Sequence, residues 1–530
     1  MRKLLALAIA AILCFGLVAC KGTESPVNTT STGGNTTTAS SGSTTPLPLE
    51  PMTITISRPA DSDNLDPIIQ NNNVNIWVIT LCLEPLLLAT ENGRDVMPGI
   101  AESYDISEDG KTYTFHLYPD LKFGDGTSVT KEDIVWSIER VMNTEESPWT
   151  TFYANFASVE CPDDQTVVVN MHEVRADDLS MFTLFAGVIT KKAHFDEVGP
   201  EGYSKGPIGT GPFIFKEWKE GEYMTLAKNP YYRFADQVIA DEIKFIVVPD
   251  DNTRIMQLQA GETDIMTFVP YNRMKELSDT DGLKAVVIPG TGVTGLMFNC
   301  TRAPMDKADV RNALAMAINK QEIVDNVHYG NTQVASSFLP PGLPHSTAGS
   351  VTVPQYDPEG AKALLAEAGY PDGFKLTINI GAGNTNQEQI ATILNDQFSK
   401  VGVDLTIEVM ESATLRPLRD KLELDLFIGG WTSDIPDPSQ QTRYYCMYEV
   451  VESIHTGWQN PDVEALVRQV EVEMDRAKRE GLYKQIQQAF ADDCPLVPLY
   501  YEGYPVAMKD SVIGFVEIPL GNYRFDKLSK

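Results

Sequence analysis

Residues 357–380 read DPEGAKALLAEAGYPDGFKLTINI, and this stretch contains the two patterns that decide the fold. Asp357 followed by Pro358 is typical of a helix start, with the acidic residue as N-cap and the proline in the first turn. Gly369 marks the end of that helix, because glycine tolerates the left-handed backbone found just beyond a helix. The run Lys375–Ile380 then predicts a β-strand. A helix followed at once by a strand indicates mixed α and β structure.

The same two patterns recur on both sides of this stretch. Thr130 with Asp133 resembles a capping box. Asp309, and Asn460 before Pro461, predict two further helix starts. Strand-like runs lie at Thr53–Ile56, 112–118, Ile243–Val248, Lys284–Ile288 and Val403–Val409. No repeat period is visible, so the alternation predicts an α/β or α+β protein.

Length and composition limit the classes of protein that fit. Residues 51–530 exceed what one hydrophobic core usually supports, so two or more lobes are predicted. The net charge of −31 argues against nucleic acid and against an electrostatic hold on anionic lipid. The cysteines beyond residue 50 are widely spaced and odd in number, which indicates neither a disulfide framework nor a zinc site. A single disulfide bridge between two of these cysteines is left as an alternative.

The N-terminus carries an export signal. Arg2 and Lys3 precede the apolar run Leu4–Val18, which is too short for a membrane span and indicates a signal peptide over residues 1–20. It ends in Leu-Val-Ala-Cys at Cys20, which resembles the bacterial lipobox that directs lipid to the cysteine. Two acyl chains on Cys20 would hold a soluble body at a membrane, since one chain is marginal. The alternative is a plain secretion signal with an accidental cysteine.

Residues 21–50 consist mostly of Ser, Thr, Gly, Asn and Pro, without apolar periodicity. Such a segment cannot bury enough surface to offset its chain entropy, so we expect a disordered linker. A flexible coil of about 30 residues has an r.m.s. reach on the order of 30 Å. The predicted linker therefore leaves the body free to move near the membrane.

The motifs of common enzymes are absent from the sequence. It contains no P-loop, no HExxH zinc motif and no GxSxG nucleophile elbow, and its six histidines are scattered. We therefore predict no catalytic residue, no metal site and no cofactor. Asp and Glu are abundant enough to supply a carboxylate pair for acid–base chemistry, but no motif singles out such a pair.

Several motifs in a fixed order resemble one protein family. They are Leu65-Asp66-Pro67, Pro98–Tyr104, Asp109–Phe115, Lys122–Gly126, Gly209–Phe213, Asn229–Tyr232, Gly261–Asp264, Val310–Leu314, Asp357–Ala361, Gly430-Trp431-x-x-Asp434-x-x-Asp437-Pro438 and Trp458-x-Asn460. Their order and spacing resemble the family 5 extracellular solute-binding proteins, the peptide and nickel receptors of ABC importers. The resemblance covers about residues 52–505.

The resemblance implies a fold and a division into lobes. The implied fold is α/β and periplasmic-binding-protein-like: type II, from the large cluster with an extra subdomain, with two lobes that close a cleft about a hinge. Lobe I would hold residues 51–289 and 489–530, with the subdomain at about 86–200. Lobe II would hold residues 290–488.

The resemblance also suggests ligand-binding residues. In the peptide-binding branch the aspartate at the place of Asp434 pairs with the α-ammonium of the peptide, and a carboxylate suits a buried ammonium. The alternative for Asp434 is a turn or N-cap residue. Trp431 is expected either to wall a side-chain pocket or to pack in the core. Arg419 would suit a ligand carboxylate, with a solvated arginine as the alternative. Ile435 departs from the aromatic residue common in the family, which puts the pocket shape in doubt.

Together these observations predict a monomeric, extracytoplasmic lipoprotein that captures peptides and delivers them to the permease subunits of an ABC importer. It would be anchored to the cell membrane through Cys20. The nearest alternative is the same receptor with a nickel chelate, opine or glycoside as cargo. A surface hydrolase on the same scaffold and a sensing receptor are further alternatives. The missing nucleophile motifs argue against an enzyme.

Overall fold

The computed structural model describes residues 51–69, 72–450 and 454–530 of the chain. The predicted signal peptide, Cys20 and the linker lie outside the described residues. Residues 51–530 form one compact unit. Within the described ranges, no helix is both long and apolar enough to cross a membrane.

The described residues contain strands and helices in mixed order, as predicted. The strands are β1 Thr53–Arg58, β2 Leu87–Ala89, β3 Val96–Pro98, β4 Ala101–Ile106, β5 Thr112–Leu117, β6 Phe156–Asp163, β7 Thr166–Met171, β8 Phe213–Lys219, β9 Tyr223–Lys228, β10 Glu242–Val247, β11 Ile265–Thr267, β12 Leu283–Phe298, β13 Gln333–Val334, β14 Phe374–Gly381, β15 Val403–Met410, β16 Leu426–Thr432, β17 Leu496–Lys509, β18 Val516–Ile518 and β19 Asn522–Arg524. The helices are α1 Asn73–Cys82, α2 Lys131–Asn143, α3 Asp178–Met181, α4 Lys192–Tyr203, α5 Asp251–Gln259, α6 Met274–Ser278, α7 Ala308–Ala317, α8 Lys320–Val327, α9 Pro358–Glu367, α10 Thr385–Ser399, α11 Ser412–Asp420, α12 Ser439–Cys446, α13 Pro461–Val472 and α14 Arg476–Asp493.

Three predicted helix starts are confirmed by their hydrogen bonds. Thr130 and Asp133 form both bonds of a capping box at the start of α2. The Asp357 side chain accepts the backbone N–H of the third residue of α9 at 2.9 Å. The Asn460 side chain caps α13 in the same way. Each cap satisfies backbone donors that the first turn of a helix leaves free.

The predicted cap at Asp309 is wrong. Helix α7 begins at Ala308, and its N-cap is Lys307, which makes no side-chain cap bond. Asp309 lies instead in the first turn, where a negative charge is favoured by the helix dipole. Gly369 does follow the end of α9, with φ of +101°, as predicted for a residue just beyond a helix.

One large sheet runs through the body in the order β15-β14-β16-β12-β17-β11-β1-β10-β9-β8. Its two longest strands, β12 and β17, lie at the centre and pair antiparallel, with irregular register between Pro289 and Val293 and between Thr294 and Gly295. Strands of the predicted lobe II continue the sheet on one side, and strands of the predicted lobe I continue it on the other. A separate sheet, β4-β5-β7-β6, falls within the predicted subdomain.

The buried apolar side chains divide into separate clusters. One surrounds β14, β15 and α10, a second surrounds β5 and β7, and a third surrounds α1, β1 and β10. More than one core is what the chain length demanded. The cysteines of the described residues are all free thiols, so none of them forms the bridge that the sequence left open.

Candidate ligand-binding site

The loop that carries Asp434 follows a closely packed strand. Strand β16 pairs with β12 from Leu426 to Thr432, and the loop then runs over residues 433–438 into α12. A Cβ built on Gly430 would lie 1.9 Å from the carbonyl oxygen of Val293. Only glycine therefore allows β16 to approach β12 this closely, and that approach sets the position of the loop.

Hydrogen bonds and one buried ion pair hold this loop in place. The Thr291 hydroxyl group donates to the carbonyl oxygen of Ser433 at 2.9 Å. Asp437 forms a bidentate pair with Arg479, at 2.8 and 3.0 Å. Ile435, the residue that departs from the family pattern, is fully buried and packs in the core of the β5–β7 sheet. The loop is therefore anchored on both sides of Asp434.

Asp434 is held by a neutral partner. The side-chain amide of Gln440 donates to Oδ2 of Asp434 at 2.8 Å, and its carbonyl oxygen accepts the Asp434 backbone N–H at 2.7 Å. Burial raises the pKa of Asp434 to about 7, although the Gln440 hydrogen bond acts in the opposite direction. No cation of the described residues is paired with this carboxylate. The amide fixes its orientation without neutralising its charge.

Trp431 lies at the end of the same strand, next to an aromatic side chain. Its ring is 4.4 Å from the ring of Tyr444, with the two planes inclined by 42°. The indole is partly buried against a core cluster, and its buried N–H has no hydrogen-bond partner among the described residues. The structure thus brings Trp431 and Asp434 to one end of β16, and the role of the tryptophan toward a ligand stays a prediction.

Arg419 is placed apart from the other two predicted site residues. It lies on α11 and pairs with the neighbouring Asp420 at 2.9 Å. Asp420 also lies 3.3 Å from the His455 ring. Within the described residues no hydrogen bond or ion pair joins Arg419 to Asp434 or Trp431. Its role toward a ligand carboxylate stays a prediction.

A small cavity, open to solvent, adjoins Gln440, the partner of Asp434. Gln440, Arg443 and Tyr444 of α12 line one side of it, and Phe152 and Arg175 line the other. The cavity therefore lies between α12 and the predicted subdomain.

Sequence reasoning missed the surroundings of Tyr504. Its hydroxyl oxygen lies 3.5 Å from the carbonyl oxygen of Pro519. Burial, together with the charges of Glu517, Glu502 and Asp434, raises the pKa of Tyr504 well above its ordinary value. Glu502 and Glu517 are isolated among the 73 Asp and Glu of the chain, so no local pattern marks these two residues.

Asn73, in a segment rich in asparagine, faces the same region. A Cβ built on Gly521 would lie 3.1 Å from the Tyr504 hydroxyl oxygen and 3.7 Å from the side-chain nitrogen of Asn73. Its neighbour Asn72 caps α1 instead, and Asn75 is buried against Asp63. In the described residues, no group of three or more His, Cys, Asp or Glu side chains is arranged to hold a metal ion.

The fold is that of a two-lobed solute-binding protein. Residues 95–448 match the family described as "Bacterial extracellular solute-binding proteins, family 5 Middle", and the chain belongs to this family. The resemblance found in the sequence is thus confirmed, and so is the α/β periplasmic-binding-protein-like fold.

The relatives differ in the cargo for which they are named. Di/tripeptide-binding protein 1 of Pseudomonas aeruginosa is 29% identical over 82% of this chain and 86% of its own. Heme-binding protein A of Haemophilus influenzae is 29% identical over 81% of this chain and 83% of its own. The periplasmic binding protein DppA of Helicobacter pylori, solved in complex with the peptide STSA, is 25% identical. It covers 90% of this chain and 98% of its own, with a TM-score of 0.78. All three are binding proteins.

Proposed function

We propose that this protein captures peptides with a free N-terminus and delivers them to the permease subunits of an ABC importer. The observation that carries the proposal is the Asp434 carboxylate, which is fixed by Gln440 and has no cation partner in the described structure. The peptide-binding relatives give the proposal its cargo class.

The chemistry of the site suits an α-ammonium group. Only Oδ2 of Asp434 accepts a side-chain hydrogen bond from the described residues, so Oδ1 is available to a donor. An ammonium that leaves water needs a charged, hydrogen-bonded partner to offset its desolvation. Trp431 on the same strand offers a flat apolar wall, and a solvent-open cavity adjoins Gln440.

Closure of two lobes would complete the site. The chain would pass between the two lobes twice. We place these two hinge crossings where the pairing of β12 and β17 is irregular, at Pro289–Val293 and at the facing residues Tyr501–Gly503. The first agrees with the predicted boundary at 289/290, and the second lies inside β17 instead of at 488/489. Ligand held by both lobes shifts the population toward the closed form, which a transporter can recognise.

The experiment compares free and blocked peptides. Alanine peptides of two to four residues should bind the purified full-length protein in calorimetry, and N-acetylated copies should bind at least tenfold more weakly. Asp434→Asn should lose the same binding, whereas Asp404→Asn, an exposed aspartate on β15, should keep it. Equal binding of acetylated and free peptides would refute the role given to Asp434.

The cellular location rests on Cys20. The protein acts as a monomer outside the cytoplasm, tethered to the cell membrane by lipid on this cysteine. Cells fed radioactive fatty acid should label the wild-type protein and leave Cys20→Ala unlabelled. Label on the Cys20→Ala protein would show that the lipid is attached to another residue, and would contradict the anchor at Cys20.

Binding without turnover is part of the proposal. Peptide recovered intact after long incubation with the protein supports a receptor, and a cleaved peptide supports the hydrolase alternative. A relative named for haem binding keeps a non-peptide cargo as a possible outcome of the binding assay. Import and sensing are separated by measuring uptake of labelled peptide into cells with and without the gene.

A further inference from the structure

The Tyr504 hydroxyl oxygen lies 3.5 Å from the Pro519 carbonyl oxygen, and the Thr291 hydroxyl group bridges that oxygen to the carbonyl oxygen of Ser433, next to Asp434. Three carboxyl groups are near enough for their charges to act on this hydroxyl group. They are Asp434 in the loop after β16, Glu502 on β17 and Glu517 on β18, and we call them the acidic cluster. None of the three has a cation partner among the described residues. Burial raises the pKa of Asp434 to about 7 and that of Glu517 to about 8, so both groups are only partly ionised at neutral pH. No described cation offsets the charge that they carry when they ionise.

Glu502 lies next to the strand end that carries Asp434. The Thr294 hydroxyl group donates to its Oε1, and no described residue donates to its Oε2. A Cβ built on Gly292 would lie 2.6 Å from that Oε2 and 2.9 Å from the hydroxyl oxygen of Thr432. The absence of a side chain at Gly292 therefore leaves space in front of the free oxygen. Glu502 is only partly buried, so a ligand can reach it.

Glu517 supplies a second, independent observation. It is 5% exposed, and neither of its carboxylate oxygens has a hydrogen-bond partner among the described residues. Tyr523 stands directly opposite it in the β18–β19 hairpin, so both side chains share one face. The Tyr523 hydroxyl group is also buried and unpartnered. Buried polar groups without partners are rare and costly, which indicates that a donor is missing here.

The nearest arginines are already engaged by other groups. Arg58 donates to Asp61 at 2.9 Å and to a backbone carbonyl of α1 at 3.0 Å. Arg524 follows Tyr523 on β19, but its guanidinium is directed to the Met97 sulfur and the Ala89 carbonyl oxygen. Neither arginine therefore compensates these carboxylates, which leaves room for a cation of the ligand.

We propose that the cargo carries a second positive charge, and that the protein selects peptides with a lysine or arginine side chain. This inference rests on the proposed function: Asp434 takes the α-ammonium, and Glu502 takes the basic side chain. Glu517, whose pKa burial raises to about 8, adds its negative charge when a bound cation favours its ionised form. The described carboxylates are not grouped as metal ligands, which favours an organic cation over a metal ion.

The test compares lysine with norleucine, which has the same chain length without the ammonium group. Alanine peptides of two to four residues, each with lysine or norleucine at one position, are titrated calorimetrically into the purified full-length protein. For at least one position we expect lysine to bind at least tenfold more tightly than norleucine. Equal affinities within a factor of two at every position would overturn the inference.

Two variants locate the selectivity. Glu502→Gln should reduce the lysine-to-norleucine ratio to below threefold, and Glu517→Gln should reduce it partly. Glu359→Gln, on an exposed part of α9, is the matched control and should keep the ratio. A ratio unchanged in Glu502→Gln would contradict the assignment of the second charge to this residue. Thermal unfolding of each variant confirms that it is folded.

The same titrations separate this inference from the proposed function. If norleucine and lysine peptides bind equally and N-acetylation removes binding, the peptide receptor stands and the second charge is wrong. If acetylated peptides bind as well as free ones, or no peptide binds, the proposed function itself fails.

Discussion

Asp434 combines burial with a fixed orientation, and both follow from its neighbours in the chain. The Gly430 contact holds β16 against β12, and Gln440 on the next helix orients the carboxylate. A partly buried carboxylate without a cation partner is costly in the empty protein, so the residue is better explained by a ligand than by stability. Two consequences of its raised pKa can be measured.

Peptide binding should weaken as the pH falls through 7. The pKa of Asp434 is raised to about 7, so below this pH the carboxyl group is protonated and cannot pair with an ammonium. One pH unit below the pKa, the affinity should drop about tenfold. Calorimetry between pH 5.5 and 8.5 measures this, and Asp434→Asn should flatten the profile. An affinity for peptide that is independent of pH in the wild type would contradict the pairing.

Asp434→Asn should stabilise the ligand-free protein at pH 8 and not at pH 3. Because the folded pKa lies above the unfolded one, the folded state holds the proton more tightly, and stability falls as the pH rises from about 4 to 7. Above pH 7 the ionised group costs on the order of a few kcal/mol, which asparagine avoids. Urea unfolding at both pH values measures the difference. No gain at pH 8 would show that the carboxylate is not penalised.

At the level of the strands, the contact between β16 and β12 positions the site. Gly430→Ala would place a Cβ 1.9 Å from the Val293 carbonyl oxygen, so the strands must separate, at a cost of about 3 kcal/mol or more. Gly481→Ala is the control: this glycine lies inside α14 with no atom near its Cβ position, and alanine should add about 0.5–1 kcal/mol. Urea unfolding compares the two. Equal stabilities would contradict the close packing.

The sequence predicted those elements that local patterns determine. Asp357 and Asn460 marked helix starts because capping depends on residues within one turn. The run Lys284–Ile288 gave only part of β12, which extends to Phe298. Proline and glycine after Ile288 are typical of a turn, and pairing with β17, distant in the chain, overrides that tendency.

The candidate site was predicted only where a local motif marks its residues. Asp434 was found because it belongs to a motif of contiguous residues. Glu502 lies two residues before Tyr504 on β17, but no motif marks it, and Glu517 approaches Tyr504 only after the β18–β19 hairpin has packed. Such grouping is a tertiary property that spacing along the chain does not reveal.

At the level of the whole molecule, the structure has its predicted lobes in contact. Arg175 of the predicted subdomain pairs with the side chain of Glu471 of the predicted lobe II at 3.2 Å. The backbone N–H of Ala176 donates to the backbone carbonyl oxygen of Glu471 at 2.7 Å. If these contacts form on closure, saturating peptide should decrease the radius of gyration in small-angle X-ray scattering. Glu471→Gln, which weakens the ion pair, should lessen the decrease. An unchanged radius at saturating peptide would argue against hinge closure.

The identity of the cargo tests the central claim most directly. The full-length protein, purified gently from its own cells, is examined by native mass spectrometry, and the released ligand is sequenced. We predict a short peptide with a free N-terminus and at least one lysine or arginine. A haem, a nickel chelate, an opine or a glycoside in its place would contradict the peptide-receptor account.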